Sequence, residues 1–297
     1  MRFPHFVPGQ AGDHPPKVAV YMGDEATIGI PHDESLVSIV KEKKRPRRDV
    51  NLVTPLAGKG YCFGKWKESL KQAPMKRSHV YVYDNSNNPR FSRRVDKFCE
   101  SQLDSYTLIK DENSKQGLET IRDWVRVGNR CRAVYGQIYN SIVDHKRPLC
   151  LNMEDDVGIP DRAWDKLYTQ IQNDEVGTVI GQCNDRRAYT DTGMIQSIAV
   201  NFKVEEAIGQ ADSIKVTTVP AKVRQFGVDS IGAGHMGFWL TKTEVISELG
   251  MGHRVGELRG NDINWGFAIN RAGWKFAIDW SVKLDHYFEV DGKVLSV

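Results

Sequence analysis

The sequence predicts an α/β protein built on a mainly parallel mixed sheet with helices on both faces. From about residue 50 onward, apolar runs of strand length alternate with longer segments of helical apolar spacing. Two of those runs, 80–83 and 149–153, stop abruptly at acidic residues, as buried strands do where they leave the core. Hydrophobic residues make up 40% of the chain and charged residues 27%, a balance that excludes a disordered chain or a fibrous repeat. With 297 residues there is enough chain for one large domain with a deep ligand cleft.

Residues 1–16 are rich in Pro, Gly and His without periodicity and predict an extended or partly disordered arm. Lys17 to Met22 predicts a strand and Ser35 to Val40 a short apolar element, separated from the rest by the basic, Pro-containing run 41–49. The expected division is therefore an N-terminal extension over 1–49 and a main domain over 50–297. Within that domain, Asn51 to Pro55 predicts a first strand, followed by a Gly-rich turn and a helix over Trp66 to Gln72. Val80 to Tyr83 and Tyr106 to Ile109 predict the next two strands, and the apolar spacing of Val134, Ile138 and Ile142 predicts a helix over Gly128 to Val143. Leu149 to Met153 predicts a fourth strand, then come a helix over 161–172 and a strand over Gly177 to Gly181.

The second half is less regular. SIAVNF and IKVTTV are β-prone runs within 189–230, and the small residues of Gly232 to Gly237 lead into a strand at Phe238 to Leu240. Thr243 to Leu249 and Asn261 to Ala272 predict helices, and Lys275 to Asp279 with Val282 to Asp285 predict short closing strands.

Lys plus Arg (41) exceed Asp plus Glu (38) by three, too small an excess to establish nucleic-acid binding by itself. The basic residues do cluster, at 41–48, at Lys76 and Arg77, at Arg93 and Arg94, and at 122–132; solvated helix faces and a phosphate-rich partner both account for such clusters. The five cysteines are scattered and never paired as C-x-x-C, which predicts reduced, buried thiols. No run approaches the roughly eighteen apolar residues of a membrane span, and the first residues lack a signal-peptide core, so a cytoplasmic protein without an integral membrane segment is expected.

MEDDV (153–157) is the strongest chemical signal. Adjacent carboxylates at the end of a buried strand repel one another unless a cation neutralises them, and hard oxygen ligands suit Mg²⁺ or Mn²⁺ gripping a diphosphate. An acidic surface turn is the alternative. A second acidic strand end, Asp84-Asn85-Ser86, offers a carboxylate to the imide N–H of a uracil-type base, although the same residues are ordinary turn formers. The third cluster is RGNDINWGFAINRAGW (259–274), in which Asp262 opens a predicted helix: it is either that helix's cap or a general base for an acceptor hydroxyl. His286 lies beyond it as a candidate metal or diphosphate ligand. In DSIGAGHMGFWL (229–240) the glycines permit close backbone approach, and His235 and Trp239 are candidates to line an acceptor pocket, with Asn261 and Trp265 from the neighbouring cluster.

Taken in order, these segments resemble the inverting GT-A glycosyltransferases, the large family that includes cellulose- and chitin-forming enzymes. VTP (53–55) stands where that family's base-binding loop begins, DNS (84–86) at its second strand end, GNRCRAVYGQI in the helix before the metal strand and MEDDV at its D-x-D position. GNDINWGFAINRAGWKFAIDWSVKLDHY is similar to its Glu-Asp motif, helix end and final strand with a late histidine. The resemblance implies a GT-A, Rossmann-like fold, a nucleoside-diphosphate-sugar donor, UDP-linked above all, and Mn²⁺ or Mg²⁺ as cofactor. It further implies inversion with Asp262 as base, donor contacts from Thr54, Pro55, Asp84, Asn85, Glu154 and Asp155, and a metal held by Asp156 and His286. Two positions depart from the family: Glu154 replaces the usual first Asp, which leaves Asp156 the main ligand, and Asn261 replaces the Glu of the Glu-Asp pair.

The acceptor stays open between a glycan, a protein side chain and a nucleic acid, a hydroxylated DNA base included, because the basic clusters at 41–48 and 122–132 would suit an extruded base. A sugar nucleotidyltransferase and a non-catalytic nucleotide-sugar binder are the competing classes. LAGKGYCFGK (56–65) loosely imitates the Lys-bearing loop of the former.

Overall fold

The computed structural model describes residues 37–45, 48–86, 88–110, 134–185, 197–205, 213–220, 227–251 and 261–297. The strand expected over 17–22, the basic cluster 122–132 with Cys131, and the start of the 128–143 helix lie outside them.

In chain order the strands of the described residues are β1 (Ser38–Lys43), β2 (Val50–Leu56), β3 (Ser78–Asp84), β4 (Tyr106–Lys110), β5 (Leu149–Met153), β6 (Val157–Gly158), β7 (Val176–Gln182), β8 (Val200–Glu205), β9 (Ser213–Thr218), β10 (Val228–Ile231), β11 (Phe238–Lys242), β12 (Lys275–Lys283), β13 (Asp285–Val290) and β14 (Lys293–Ser296). The helices are α1 (Phe63–Leu70), α2 (Pro89–Gln102), α3 (Ala163–Ile171), α4 (Thr243–Leu249) and α5 (Asn261–Arg271), with a π-helical turn at Ile138–Ile142.

Nine strands form the central sheet in the order β1-β4-β3-β2-β5-β11-β7-β12-β10. β4, β3, β2 and β5 are mutually parallel, β7 and β12 run with them, and β1, β11 and β10 run against them. This is the mainly parallel mixed sheet that the sequence predicts. β1, drawn from the expected N-terminal extension, is its edge strand, paired with β4 from Ser38↔Lys110 to Lys43↔Tyr106. The sheet therefore begins before Val50.

Two apolar layers cover the sheet. On one face α1, α2 and α3 bury Phe63, Trp66, Phe91, Val95, Trp164 and Leu167 against Leu52, Val80, Val82 and Leu151. On the other, the 134–142 segment, α4 and α5 bury Ile138, Tyr139, Val245, Trp265 and Ile269 against Val53, Tyr81, Ile180 and Trp239. The central strands read as continuous apolar runs because both faces are covered. β2 and β7 have every residue buried.

α2 is a helix that the sequence reading did not contain. Asn88 caps it by accepting from the N–H groups of Arg90 and Phe91, Pro89 occupies its first turn, and Phe91, Val95 and Cys99 form a narrow buried stripe. Of the two closing strands expected at 275–279 and 282–285, the first and the start of the second form one strand, β12, held between β7 and β10, and Asp285 opens β13. A separate three-stranded sheet, β14-β13-β6, follows, with His286 opposite Val157.

Candidate functional site

The site lies where β2, β3, β5 and β11 meet loops at one edge of the sheet. A cavity of about 160 Å³ opens there, lined by Pro55, Ala57, Lys59, Tyr83, Asn85, Val134, Tyr135, Glu154 and Asp155. Open α/β sheets bind ligands at the carboxyl ends of their strands, and β2, β3 and β5 all end here.

The alternation of side chains along a strand decides which residue faces the cavity. On β2, Thr54 turns beneath α1, where the indole N–H of Trp66 donates to its hydroxyl at 2.8 Å; Pro55 turns to the cavity. Thr54, expected to contact a donor, is thus a buried structural residue. The same alternation sends Tyr83 to the cavity and Asp84 to the α1 and α2 side. Asp84 is 2% exposed; one of its oxygens accepts from the Ser86 N–H, and Oδ2 finds no hydrogen-bond partner among the described residues. Asn85 lines the cavity.

The carboxylates of MEDDV are distributed by backbone contacts. Glu154 N–H donates to the Gly237 carbonyl, and Tyr287 N–H to the Asp156 carbonyl, both at 2.8 Å. Asp155 Oδ2 accepts from Ala57 N–H at 2.8 Å, which ties the β2–α1 loop to the end of β5. Gly58, at φ 77°, turns that loop in a conformation glycine adopts without a Cβ penalty. The turn brings the Lys59 ammonium 2.5 Å from Asp156 Oδ2 and 3.5 Å from Asp155 Oδ1. Burial alone would lower Lys59 and raise the acids. Instead the carboxylates hold Lys59 well above the ordinary lysine range, and Lys59 with His286 draws Asp156 well below the usual carboxylate range. Glu154 and Asp155 do stay raised, each by burial first.

His286 reaches Asp156 because β13 pairs with β6. Its Nε2 lies 3.7 Å from Asp156 Oδ2, an electrostatic contact longer than a hydrogen bond, while Nδ1 is 2.9 Å from the Asn184 carbonyl. Burial opposes its charge, but Asp156 and Cys183 overcome that and raise it to about 10. Cys183 sits between His286 and His235; burial would raise the thiol, yet the imidazoles bring it down to about 6.

His235 is 7% exposed, with Nδ1 accepting from Gly237 N–H at 2.8 Å and Nε2 at 3.1 Å from the Gly181 carbonyl. It ties the end of β7 to the turn before β11. A Cβ on Gly237 would fall 2.8 Å from that ring, so glycine is required for the contact. Trp239 and Trp265, expected to stack on an acceptor, are 1% and 3% exposed and pack against each other at 6.3 Å in the core. Neither presents a ring to solvent. They fix α5 to the sheet instead, together with Gly266, whose Cβ would meet Gly232 O at 2.4 Å, and Asn270, which donates to the same carbonyl at 2.7 Å.

Asp262 precedes Gly266 by one helical turn, about 6 Å. It is partly exposed and within electrostatic reach of His235. Burial raises its carboxyl, although the Ile263 N–H donates to Oδ1 at 2.9 Å. Asn261 begins α5. Of the expected residues, Pro55, Asn85, Glu154 and Asp155 share the cavity, Asp156 and His286 adjoin it through Lys59, and Asp84, His235 and Asp262 lie outside its lining.

Among the described residues no three His, Cys, Asp or Glu side chains converge as a ready-made metal cage. The donor set at Asp156 nevertheless suits a divalent ion that keeps phosphate or water ligands: one hard carboxylate, and an imidazole whose Nδ1 faces a carbonyl and whose Nε2 faces the carboxylate. Lys59, Tyr83 and Tyr135 are cavity residues that the sequence reading did not assign. For Lys59 a signal was present, since it is one of the two lysines of the 56–65 segment that imitates a phosphate-binding loop.

No family model matches the sequence, and no curated protein matches it. Solved structures do. GalNAc-T7, solved with UDP, GalNAc and Mn²⁺, superposes at TM-score 0.51 and 12% identity over 82% of this chain and 44% of its own. The mannosyltransferase PcManGT from Pyrobaculum calidifontis, in complex with GDP-Man and Mn²⁺, gives 0.44 and 13% over 81% and 59%. TarS residues 1–349 from S. aureus, in complex with UDP-GlcNAc, give 0.42 and 10% over 77% and 55%. This chain therefore spans less than two thirds of each of them. Among the described residues no helix is long and apolar enough to cross a membrane. At this identity the likeness to GalNAc-T7 establishes one thing, the fold: a mixed, mainly parallel, Rossmann-like sheet of the GT-A kind.

Proposed function

We propose that this chain is a glycosyltransferase that moves a sugar from a nucleoside-diphosphate sugar, UDP-linked by preference, to an acceptor hydroxyl with inversion. The observation that carries the reading is the acidic run at the end of β5, whose Glu154 and Asp155 line a cavity formed by the ends of β2 and β3 while Asp156 adjoins it through Lys59, on a fold shared with a solved glycosyltransferase. Tyr83, Tyr135, Pro55 and Asn85 would receive the nucleoside, as aromatic and small residues with one amide. Asp156 and His286 would hold a divalent ion, Mn²⁺ or Mg²⁺, which when bound neutralises charge on the departing diphosphate. Asp262 would take the acceptor's proton, its carboxyl raised by burial at the start of α5. His235 and the Gly232–Gly237 turn position that helix against the acidic strand end.

Lys59 in the cavity also suits a sugar nucleotidyltransferase, in which a basic loop grips a triphosphate. The products separate the two readings. The protein is incubated with a panel of nucleotide sugars and Mn²⁺: release of nucleoside diphosphate supports the transferase, and pyrophosphate from nucleoside triphosphate and sugar phosphate supports the alternative. Asp262→Asn is expected to lower turnover at least about a hundredfold with donor binding unchanged; full turnover in that variant removes the base assignment. A salt-sensitive transfer to hydroxymethylated DNA, as against a salt-independent transfer to a small glycan, identifies the acceptor class.

A further inference from the structure

The cavity at the strand ends has one basic lining residue among the described residues, Lys59. Its backbone is fixed on both sides, by the Ala57 N–H bond to Asp155 before it and by the Cys62 N–H bond to the Lys59 carbonyl at 2.9 Å after it. The side chain, 27% exposed, lies over Asp155 and Asp156, each only 4% exposed. Two buried carboxylates this close need a cation. In the free protein the nearest cation is the Lys59 ammonium, and it engages the same Asp156 oxygen that the His286 imidazole faces at 3.7 Å.

A divalent ion and Lys59 thus compete for one oxygen. An ion arriving alone would strip the ammonium of its best partner inside a partly buried site, which is costly. A diphosphate arriving alone would meet three carboxyl groups with the Lys59 ammonium in the cavity and the His286 imidazole behind Asp156. Arriving together they resolve both conflicts, since the ion takes the carboxylate and the ammonium gains phosphate oxygens.

Building on the donor reading above, we propose that Lys59 is an exchangeable counter-ion: it holds Asp155 and Asp156 in the free protein and transfers to the diphosphate when a divalent cation occupies Asp156, so that cation and nucleotide each strengthen the other's binding. Such coupling is reciprocal, and typical values are about 5- to 150-fold.

The test titrates Mn²⁺ by electron paramagnetic resonance, with and without UDP, GDP or ADP, in the full chain and in two variants. Lys59→Met keeps the stem and removes the charge; it is expected to bind Mn²⁺ alone about tenfold more tightly than the parent, and its nucleotide-dependent gain in Mn²⁺ affinity is expected to be about tenfold smaller. Lys59→Arg keeps a cation that grips carboxylates more firmly, and is expected to bind Mn²⁺ alone more weakly than the parent. This second variant decides the matter if the first does not fold. Unchanged Mn²⁺ affinity in both variants, or an undiminished nucleotide gain in Lys59→Met, overturns the exchange. A parent chain that binds none of the three nucleotides overturns the donor reading instead, and the Mn²⁺-only arm then decides by itself whether Lys59 competes for Asp156.

Discussion

Replacing Asp155 with alanine removes the side chain that accepts from the backbone of the β2–α1 loop at the end of β5. Asp155 is 3% exposed, and it accepts from Ala57 N–H at 2.8 Å while facing Lys59 at 3.5 Å. Loss of a buried, charge-assisted hydrogen bond costs about 1.5–3 kcal/mol. Lys59 keeps its closer partner, Asp156, so the second contact adds little. Relief of repulsion between the two carboxylates offsets part of the loss, leaving a net destabilisation of about 2 kcal/mol. Asp155→Asn retains an oxygen that can accept from Ala57 and loses a charge that burial already disfavours, so its cost should stay below about 0.5 kcal/mol. Equilibrium urea unfolding followed by tryptophan fluorescence reads both variants, provided the slope with denaturant is unchanged. Equal costs for the two, or a cost below about 0.5 kcal/mol for Asp155→Ala, would refute the view that Asp155 is a loop tether.

Gly266→Ala drives a Cβ to within 2.4 Å of Gly232 O and 2.3 Å of Ala233 Cβ, so α5 must move. A loss of about 2–3 kcal/mol in unfolding free energy is expected, with turnover reduced because Asp262 moves too; unchanged melting would show that α5 does not pack as described. His79 is fully buried between Ser105 Oγ at 2.7 Å and Thr107 Oγ1 at 2.8 Å, and burial, aided by Arg147, lowers it to about 4 from an ordinary 6.5. The unfolded chain therefore binds a proton that the folded chain refuses between those two values. Stability is expected to fall by up to about 3 kcal/mol as pH drops from roughly 6.5 to 4, and to gain nothing from this group above 6.5. Urea midpoints across that range should show a shallower slope in His79→Asn, and parallel slopes would exclude the assignment.

The sheet was largely legible in the sequence. β2, β3, β5 and β7 are apolar runs closed by turn residues, and a run of that kind has one stable home, a strand covered on both faces. α2 escaped because charged residues surround its stripe of Phe91, Val95 and Cys99, which carries the burial in three side chains. β12 read as two pieces because Asp279 and Ser281 put polar residues into its apolar pattern; in the fold the Trp280 backbone N–H donates to the Gly227 carbonyl, and pairing with β7 resumes at Lys283 after a register shift.

The acidic strand end and Asp262 were visible as residue types at strand and helix ends. Their surroundings were not. His286 meets Asp156 through the pairing of β13 with β6, and Cys183 meets two histidines through the ends of β7 and β11. Trp239 and Trp265 looked like ligand platforms because an aromatic beside a glycine turn reads the same whether it faces a cleft or a core.

What the chain determined by itself was periodicity, the endings of its strands and the hard carboxylates placed at one of them, because these depend on neighbours along the backbone. The choice of Pro55 over Thr54 and of Asn85 over Asp84 as cavity residues, and the position of Lys59 as cation to Asp155 and Asp156, were decided by the tertiary structure. The reason is geometric: a side chain's partner depends on strand register and on which face of the sheet each helix covers, and both are set by contacts between residues far apart in sequence.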